Sequence, residues 1–318
     1  MTSENTEESK RDQATEEKAE IVKYDLSIQG DIYKMFTDKL SNKEIENYTK
    51  SYLNSLISKH KMTNYILLFL YDEFTSISRF EADQIYKELS KHKSKGKDVF
   101  LIIHSNGGEI EPAFLISQTC KKKSKEKFIV GIPRTAKSAA TLISLGADEI
   151  HMGLMSELGP IDPQINNLPA LALGNALEYI AKLVKKHPES SQMFASYLSS
   201  KLQLNMLGYF ERVSESAAQY AERLIGDKKL PTGITKETVA HRLVYHYKDH
   251  NFLIDIDEAK SFLGTDFVKT DTPELLFCNE VYSLLNELSL YYRYFRKKQL
   301  SLVGTINDGV QIRNDSSE

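Results

Sequence analysis

Between residues 65 and 152 the chain alternates short, strongly apolar runs with helix-type patterns, and this alternation limits the fold more than any other feature. YILLFLYDE (65–73), VFLIIH (99–104) and KFIVGIP (127–133) are short and rich in β-branched and aromatic residues, so they read as buried strands. Between them lie SISRFEADQIYKELSKH and EPAFLISQTCKKK, which read as helices. The first opens with Ser78 and Glu81 at the S-x-x-E spacing of a capping box. The second carries Pro112 in its first turn, where the missing N–H has no intrahelical partner to lose. A further short strand is expected around Glu149 to Met152. Short connections between alternating strands and helices predict a parallel sheet with right-handed crossovers.

The flanking segments read differently. In residues 42–60, Ile45, Tyr48, Tyr52, Leu56 and Ile57 share one helical face. From about 168 to 247 the pattern is almost wholly helical, with breaks at His187-Pro188 and from Lys229 to Gly233. FLIDIDEAKSFLG then returns a short strand and a helix. A last long helix, Pro273 to Leu300, carries Phe277, Val281, Leu284, Leu285, Leu288, Tyr292 and Phe295 as one stripe and runs into a polar tail. The expected organisation is a disordered acidic tail (1–20) and an α/β domain (21–272) with a helical insertion at about 168–247. A C-terminal helix and polar tail (273–318) follow.

Composition narrows the function. A net charge of −3 over 318 residues gives no general attraction for nucleic acid, and the basic run KKKSKEK reads as a solvated helix end. Cys120 and Cys278 lie far apart with no C-x-x-C spacing, so neither a disulfide framework nor a zinc site follows, and no metal or cofactor is expected. No apolar run approaches the roughly 18–20 residues of a membrane span. The first twenty residues have no apolar core of a secretory signal. The expectation is a cytoplasmic protein without an integral membrane segment.

Two stretches at the C-terminal ends of neighbouring strands suggest chemistry, because parallel α/β sheets place their sites at that edge. One is SNGG (105–108), where glycines permit positive φ and a close backbone approach. The other is AKSAATLISLGADEI, in which Ser138 heads a small, apolar helix. Ser138 reads either as a helix N-cap or as a nucleophile beside backbone donors. N–H groups of Gly108 and Ala139 converging on one carbonyl oxygen would form an oxyanion hole.

LIIHSNGGEIEPA followed by AKSAATLISLGADEIHMGLMSELGPIDPQ resembles the Clp/crotonase fold, and more narrowly the serine dehydrogenase proteinase family, relatives of signal peptide peptidase. The resemblance runs over roughly residues 60–265 and includes GYFERVSESAAQYAERL (208–224). It implies a Clp/crotonase-like parallel sheet with crossover helices followed by a mostly helical region. It also implies a serine peptidase that cleaves a peptide or protein substrate through an acyl-enzyme. Carried over, it makes Ser138 the nucleophile, Gly108 and Ala139 the oxyanion donors, and Gly107 the residue that shapes the turn. Relatives of this fold commonly assemble, so a homo-oligomer is expected, with the terminal stripe at the contact.

The base is less direct. Clp-type proteases place a histidine downstream of the serine, where this chain reads GPIDPQ; Asp162 sits there instead and is a poor proton acceptor at its ordinary pKa. Two residues compete. Lys201 falls on the apolar positions of ESSQMFASYLSSKLQLNML, where burial would lower its pKa. His250, in KDHNFLIDIDEAKSFLG, aligns with the acidic triad position of Clp proteases. The periodicity favours Lys201. His104, His151, His241 and His246 read as structural. A crotonase-type acyl-CoA enzyme and a catalytically inactive scaffold are the other readings of the same residues.

Overall fold

The computed structural model describes residues 23–92, 96–165, 168–202, 204–308 and 310–314. The acidic tail expected over 1–20 lies outside them. The chain begins with α1 (Gln29–Thr37) and α2 (Asn42–Lys59), then enters β1 (Tyr65–Asp72). Crossovers follow in order: α3 (Arg79–Lys91), β2 (Asp98–Ser105), α4 (Ile110–Lys123), β3 (Phe128–Ile132) and β4 (Thr135–Ala136). Next come α5 (Ala139–Leu145), β5 (Glu149–Met152) and β6 (Glu157–Leu158). The anticipated capping box at the start of α3 is formed: Ser78 caps, and its backbone N–H donates to Glu81 at 2.8 Å.

β1, β2, β3 and β5 pair in parallel as expected, and β4 continues the edge between β2 and β6. Side chains alternate between two cores. Leu68, Leu70, Leu101 and Ile103 face a core closed by α3, α4 and α5, whereas Phe69, Tyr71, Phe100 and Ile102 face a second core. Cys120 belongs to the first core and Cys278 to the second; burial pushes both thiols up.

After β6 a small hairpin, β7 (Gln164–Ile165) and β8 (Leu168–Pro169), leads into the helical region. This consists of α6 (Ala172–Lys186), α7 (Ser191–Lys201), α8 (Leu204–Ile225), α9 (Lys236–His241) and a π-helical turn over Arg242–His246. The two halves of this region behave differently. α8 buries Ser214, Ala217, Ala221, Leu224 and Ile225 against the first core. Residues 171–202 contain no buried side chain, so α6 and α7 form an arm that packs on itself.

α10 (Ile256–Leu263) and β9 (Val268–Lys269) return to the sheet, with β9 parallel to β5. The C-terminal segment departs from expectation. α11 (Pro273–Arg296) is not an appendage: Phe277, Val281, Leu284, Leu285, Leu288 and Tyr292 are buried in the second core with α1 and α2, and only Phe295 of the stripe is exposed. The stripe is consumed within one chain, so it cannot supply the oligomer contact. The polar tail is corrected as well. Lys297 ends α11 in the left-handed conformation, and β10 (Lys298–Gly304) adds antiparallel to β1, followed by β11 (Gln311–Asn314). The sheet order is β11-β10-β1-β2-β3-β5-β9.

Candidate active site

Ser138 stands at the turn between β4 and α5 with φ +51° and ψ −118°, a conformation that L residues avoid. Such a backbone costs about 1–3 kcal/mol and persists only where its surroundings over-determine it. Here they do. Lys137 N–H donates to Ser105 O (3.1 Å), Ala140 N–H to Lys137 O (2.9 Å), and Leu142 N–H to Ser138 O (3.0 Å). Thr141 Oγ1 lies 2.7 Å from Ala136 O and accepts the Gly159 N–H at 3.0 Å, fastening the segment after β6 to this turn. The N-cap reading fails, because the Ser138 side chain makes no capping bond. Its hydroxyl has no hydrogen-bond partner among the described residues.

The Gly-Gly turn touches Ser138 directly. A Cβ on Gly107 (φ +107°) would lie 2.7 Å from Ser138 Cβ and 3.0 Å from Ala139 N. Gly108 (φ +155°) is pressed against the other side, where a Cβ would come within 2.3 Å of Ile77 N. Ile77 donates to Gly107 O and accepts from Glu109 N–H, both at 2.8 Å. That pairing occupies the groups on either side of Gly108. The N–H groups of Gly108 and Ala139 therefore have no acceptor among the described residues. Ala139 follows Ser138 directly, and Gly108 follows the glycine packed against the Ser138 Cβ.

The structure separates the two base candidates. Lys201 is the last residue of α7 and is exposed, on an arm that buries nothing. The burial expected of it is absent, and none of its periodic apolar neighbours in α7 is buried either. His250 lies in a turn closed by Phe252 N–H to Asp249 O (3.0 Å) and Asn251 N–H to Asp249 Oδ1 (2.9 Å). Its Nδ1 is 2.7 Å from Asp162 Oδ1. Asp162 is buried, and its other oxygen accepts from Gln164 Nε2 at 2.9 Å. Nε2 of His250 has no partner among the described residues, and the side chain is 26% exposed.

Shared anchors bring these segments together. Leu158 and Ile254 exchange two backbone bonds at 3.0 Å, Ile161 N–H donates to Leu243 O at 3.0 Å, and Lys137 Nζ reaches Asn251 O at 3.3 Å. Ser138 and His250 are not hydrogen-bonded to each other; such contacts often form only with substrate in place. The residue that sequence reasoning undervalued is Asp162. Considered alone it is a poor base, but it holds a histidine from the segment where Clp proteases carry their acid. The signal was the paired exchange: an aspartate at the expected histidine position and a histidine at the expected acidic one.

Other histidines make local contacts or line a cleft. His104 bonds Glu73, which holds that carboxyl below its usual range, and His151 Nδ1 lies 2.7 Å from Thr272 Oγ1. His241 lines a cleft of about 790 Å³ with Val239, Arg242, Tyr245, Lys248 and Phe262. Lys248, on its lining, immediately precedes the 249–252 turn. Among the described residues, no helix is long and apolar enough to cross a membrane.

The sequence matches the family described as ClpP-like SDH-type serine proteinase over residues 32–303. Uncharacterized protein MJ0137 of Methanocaldococcus jannaschii is 26% identical over 249 residues, which is 76% of this chain and 75% of that protein. Uncharacterized protein MJ1495 of the same organism is 31% identical over 185 residues, 58% of this chain and 55% of its own. Among solved structures, a mutant of the 1510-N membrane-bound stomatin-specific protease aligns with TM-score 0.42 and 13% identity, covering 80% of this chain and 95% of that one. ClpP1 from Listeria monocytogenes aligns with TM-score 0.39 and 16% identity, covering 70% and 98%.

Proposed function

Because this chain belongs to the ClpP-like SDH-type serine proteinase family, we propose that it is a serine peptidase in which Ser138 attacks, His250 is the base and Asp162 orients it. The observation that carries the reading is the pair formed by His250 Nδ1 and Asp162 at 2.7 Å, on a turn tied to the strained nucleophile turn. A serine hydroxyl is a weak nucleophile and needs an adjacent base. With Nδ1 engaged by a buried carboxylate, the imidazole is held in one orientation and its Nε2 is left to take the Ser138 proton.

In the proposed sequence, Ser138 Oγ bonds to the scissile carbonyl carbon as its proton passes to His250 Nε2. The negative oxygen of the tetrahedral intermediate accepts from Gly108 and Ala139 N–H, a stabilisation worth several kcal/mol in such sites. Collapse breaks the C–N bond, and His250 protonates the departing amine. Water then attacks the acyl carbon as His250 takes its proton, and on collapse the C–O bond to Ser138 breaks while His250 returns that proton to Oγ. The cleft, whose lining includes Lys248 just before the His250 turn, is the proposed seat for side chains of a peptide or protein substrate. An acyl-CoA enzyme or an inert scaffold would leave the strain at Ser138 and the buried Asp162 partner without a use.

The test is a fluorophosphonate probe, which bonds covalently to an activated serine. Labelling of the native protein at Ser138, lost in Ser138→Ala and strongly slowed in His250→Ala, is the expected result. Native protein that takes up no probe over hours overturns the peptidase reading.

A further inference from the structure

The residue that precedes Ser138 reaches the residue that follows His250. Lys137 Nζ donates to Asn251 O at 3.3 Å and lies 3.5 Å from Glu157 Oε1. Glu157 is fixed in turn, accepting from Thr135 Oγ1 at 3.0 Å within the β4–β6 pairing. The Lys137 side chain is largely covered, at 19% exposed, and the fold makes room for its stem. A Cβ on Gly159 would lie 3.0 Å from Lys137 Cγ and 3.1 Å from its Cβ. Among the described residues the 249–252 turn is otherwise held by its own bonds to Asp249, by the His250–Asp162 pair, by Phe252 against the Tyr247 ring and by the Leu158–Ile254 pair that follows it.

We infer that Lys137 is a positioning residue, which ties the His250 turn to the nucleophile turn and sets the distance between base and serine. The inference rests on the reading of His250 as the base. Lys137 touches neither the proposed nucleophile's hydroxyl nor the His250 ring; it acts through the Asn251 carbonyl. Glu157 shares the ammonium with that carbonyl, so the cation is held between protein groups.

Lys137→Met keeps the stem and removes the donor, and Lys137→Arg keeps a donor. Gly159→Ala crowds the stem without changing the lysine. Two measurements are made on the full chain: the rate of fluorophosphonate labelling at Ser138, and amide hydrogen exchange over 248–253. Losing a hydrogen bond from a charged donor corresponds to about ten- to hundredfold, so Lys137→Met should slow labelling by that factor and Lys137→Arg should recover most of it. Exchange at Asn251 and Phe252 should speed up in Lys137→Met and Gly159→Ala, with thermal midpoints close to the native one. The Lys137→Met/His250→Ala double variant should label no more slowly than His250→Ala alone. Additive losses, or native exchange rates in both Lys137→Met and Gly159→Ala, overturn the inference. Should His250→Ala label at the native rate, the base assignment falls, while the exchange measurement still decides whether Lys137 tethers the turn.

Discussion

Replacing Ser138 with glycine should make the protein more stable as it destroys the proposed activity. The backbone at +51°, −118° is one that glycine adopts freely and any residue with a Cβ resists. Relief of that strain is worth about 1–3 kcal/mol. Glycine returns about 0.5–1 kcal/mol of this through the greater freedom of its unfolded chain. The Cβ contact with Gly107 is also lost, a fraction of the roughly 0.8 kcal/mol of a fully buried methylene because Ser138 is half-buried. The net gain is about 1 kcal/mol, which for a chain of this size raises the midpoint by roughly 2 °C. Ser138→Ala is the control. It keeps the Cβ, and removing a hydroxyl without a hydrogen-bond partner should leave stability near native. Urea and thermal unfolding of the three proteins, beside probe labelling, make the comparison. If Ser138→Ala is as stable as Ser138→Gly, the strain argument is wrong.

Other outcomes are open to direct measurement. Asp162→Asn should lower the labelling rate by about three to four orders of magnitude, because an amide favours the wrong imidazole tautomer and no longer stabilises the imidazolium; a loss under tenfold would remove Asp162 from the mechanism. Gly131→Ala in β3 should cost about 1–3 kcal/mol, because its Cβ would meet Cys278 Sγ at 2.4 Å and Phe100 at 2.9 Å; an unchanged urea midpoint refutes this. Burial holds the His151 imidazole below its ordinary 6.5, so the stability tied to its neutral form is present above that pH and lost as the pH falls through the depressed folded value. Unfolding between pH 7.5 and 5.5 should therefore steepen in the native protein relative to His151→Gln, and parallel curves count against it. A truncation ending at Thr272 strips α11 and β10 from the second core, so it should be insoluble or unfolded. A soluble, folded product contradicts that.

The parallel sheet, its crossovers and the Ser138 turn could be read from local pattern, because each depends on neighbours within a few residues. The strain at Ser138 could not, since nothing in KSAA distinguishes a capping serine from one forced to positive φ. Lys201 shows where periodicity misleads: an apolar stripe records what a helix could bury, and α7 lies on an arm in which no described side chain is buried. The stripe on α11 failed in the opposite direction, because a surface buried by the chain itself and one buried by a partner have the same spacing. β10 was hidden behind a helix that ends at Lys297 without the glycine or asparagine that usually marks such a stop. The His250–Asp162 pair joins residues 88 apart, beyond the reach of any local pattern.

That separation bears on how proteins of this kind can diverge. Everything between Asp162 and His250 leaves from one place and returns to it, because Leu158–Ile254, Ile161–Leu243 and Asp162–His250 pin both ends at the root. Closing a flexible excursion costs only about 0.6 kcal/mol for each doubling of its length. The arm of α6 and α7 could therefore lengthen, shorten or exchange its sequence while the distance from acid to base stays constant. Insertions and deletions should accumulate there in descendants that keep the same chemistry, and new recognition properties can be tried out on the arm without disturbing the reaction at its base.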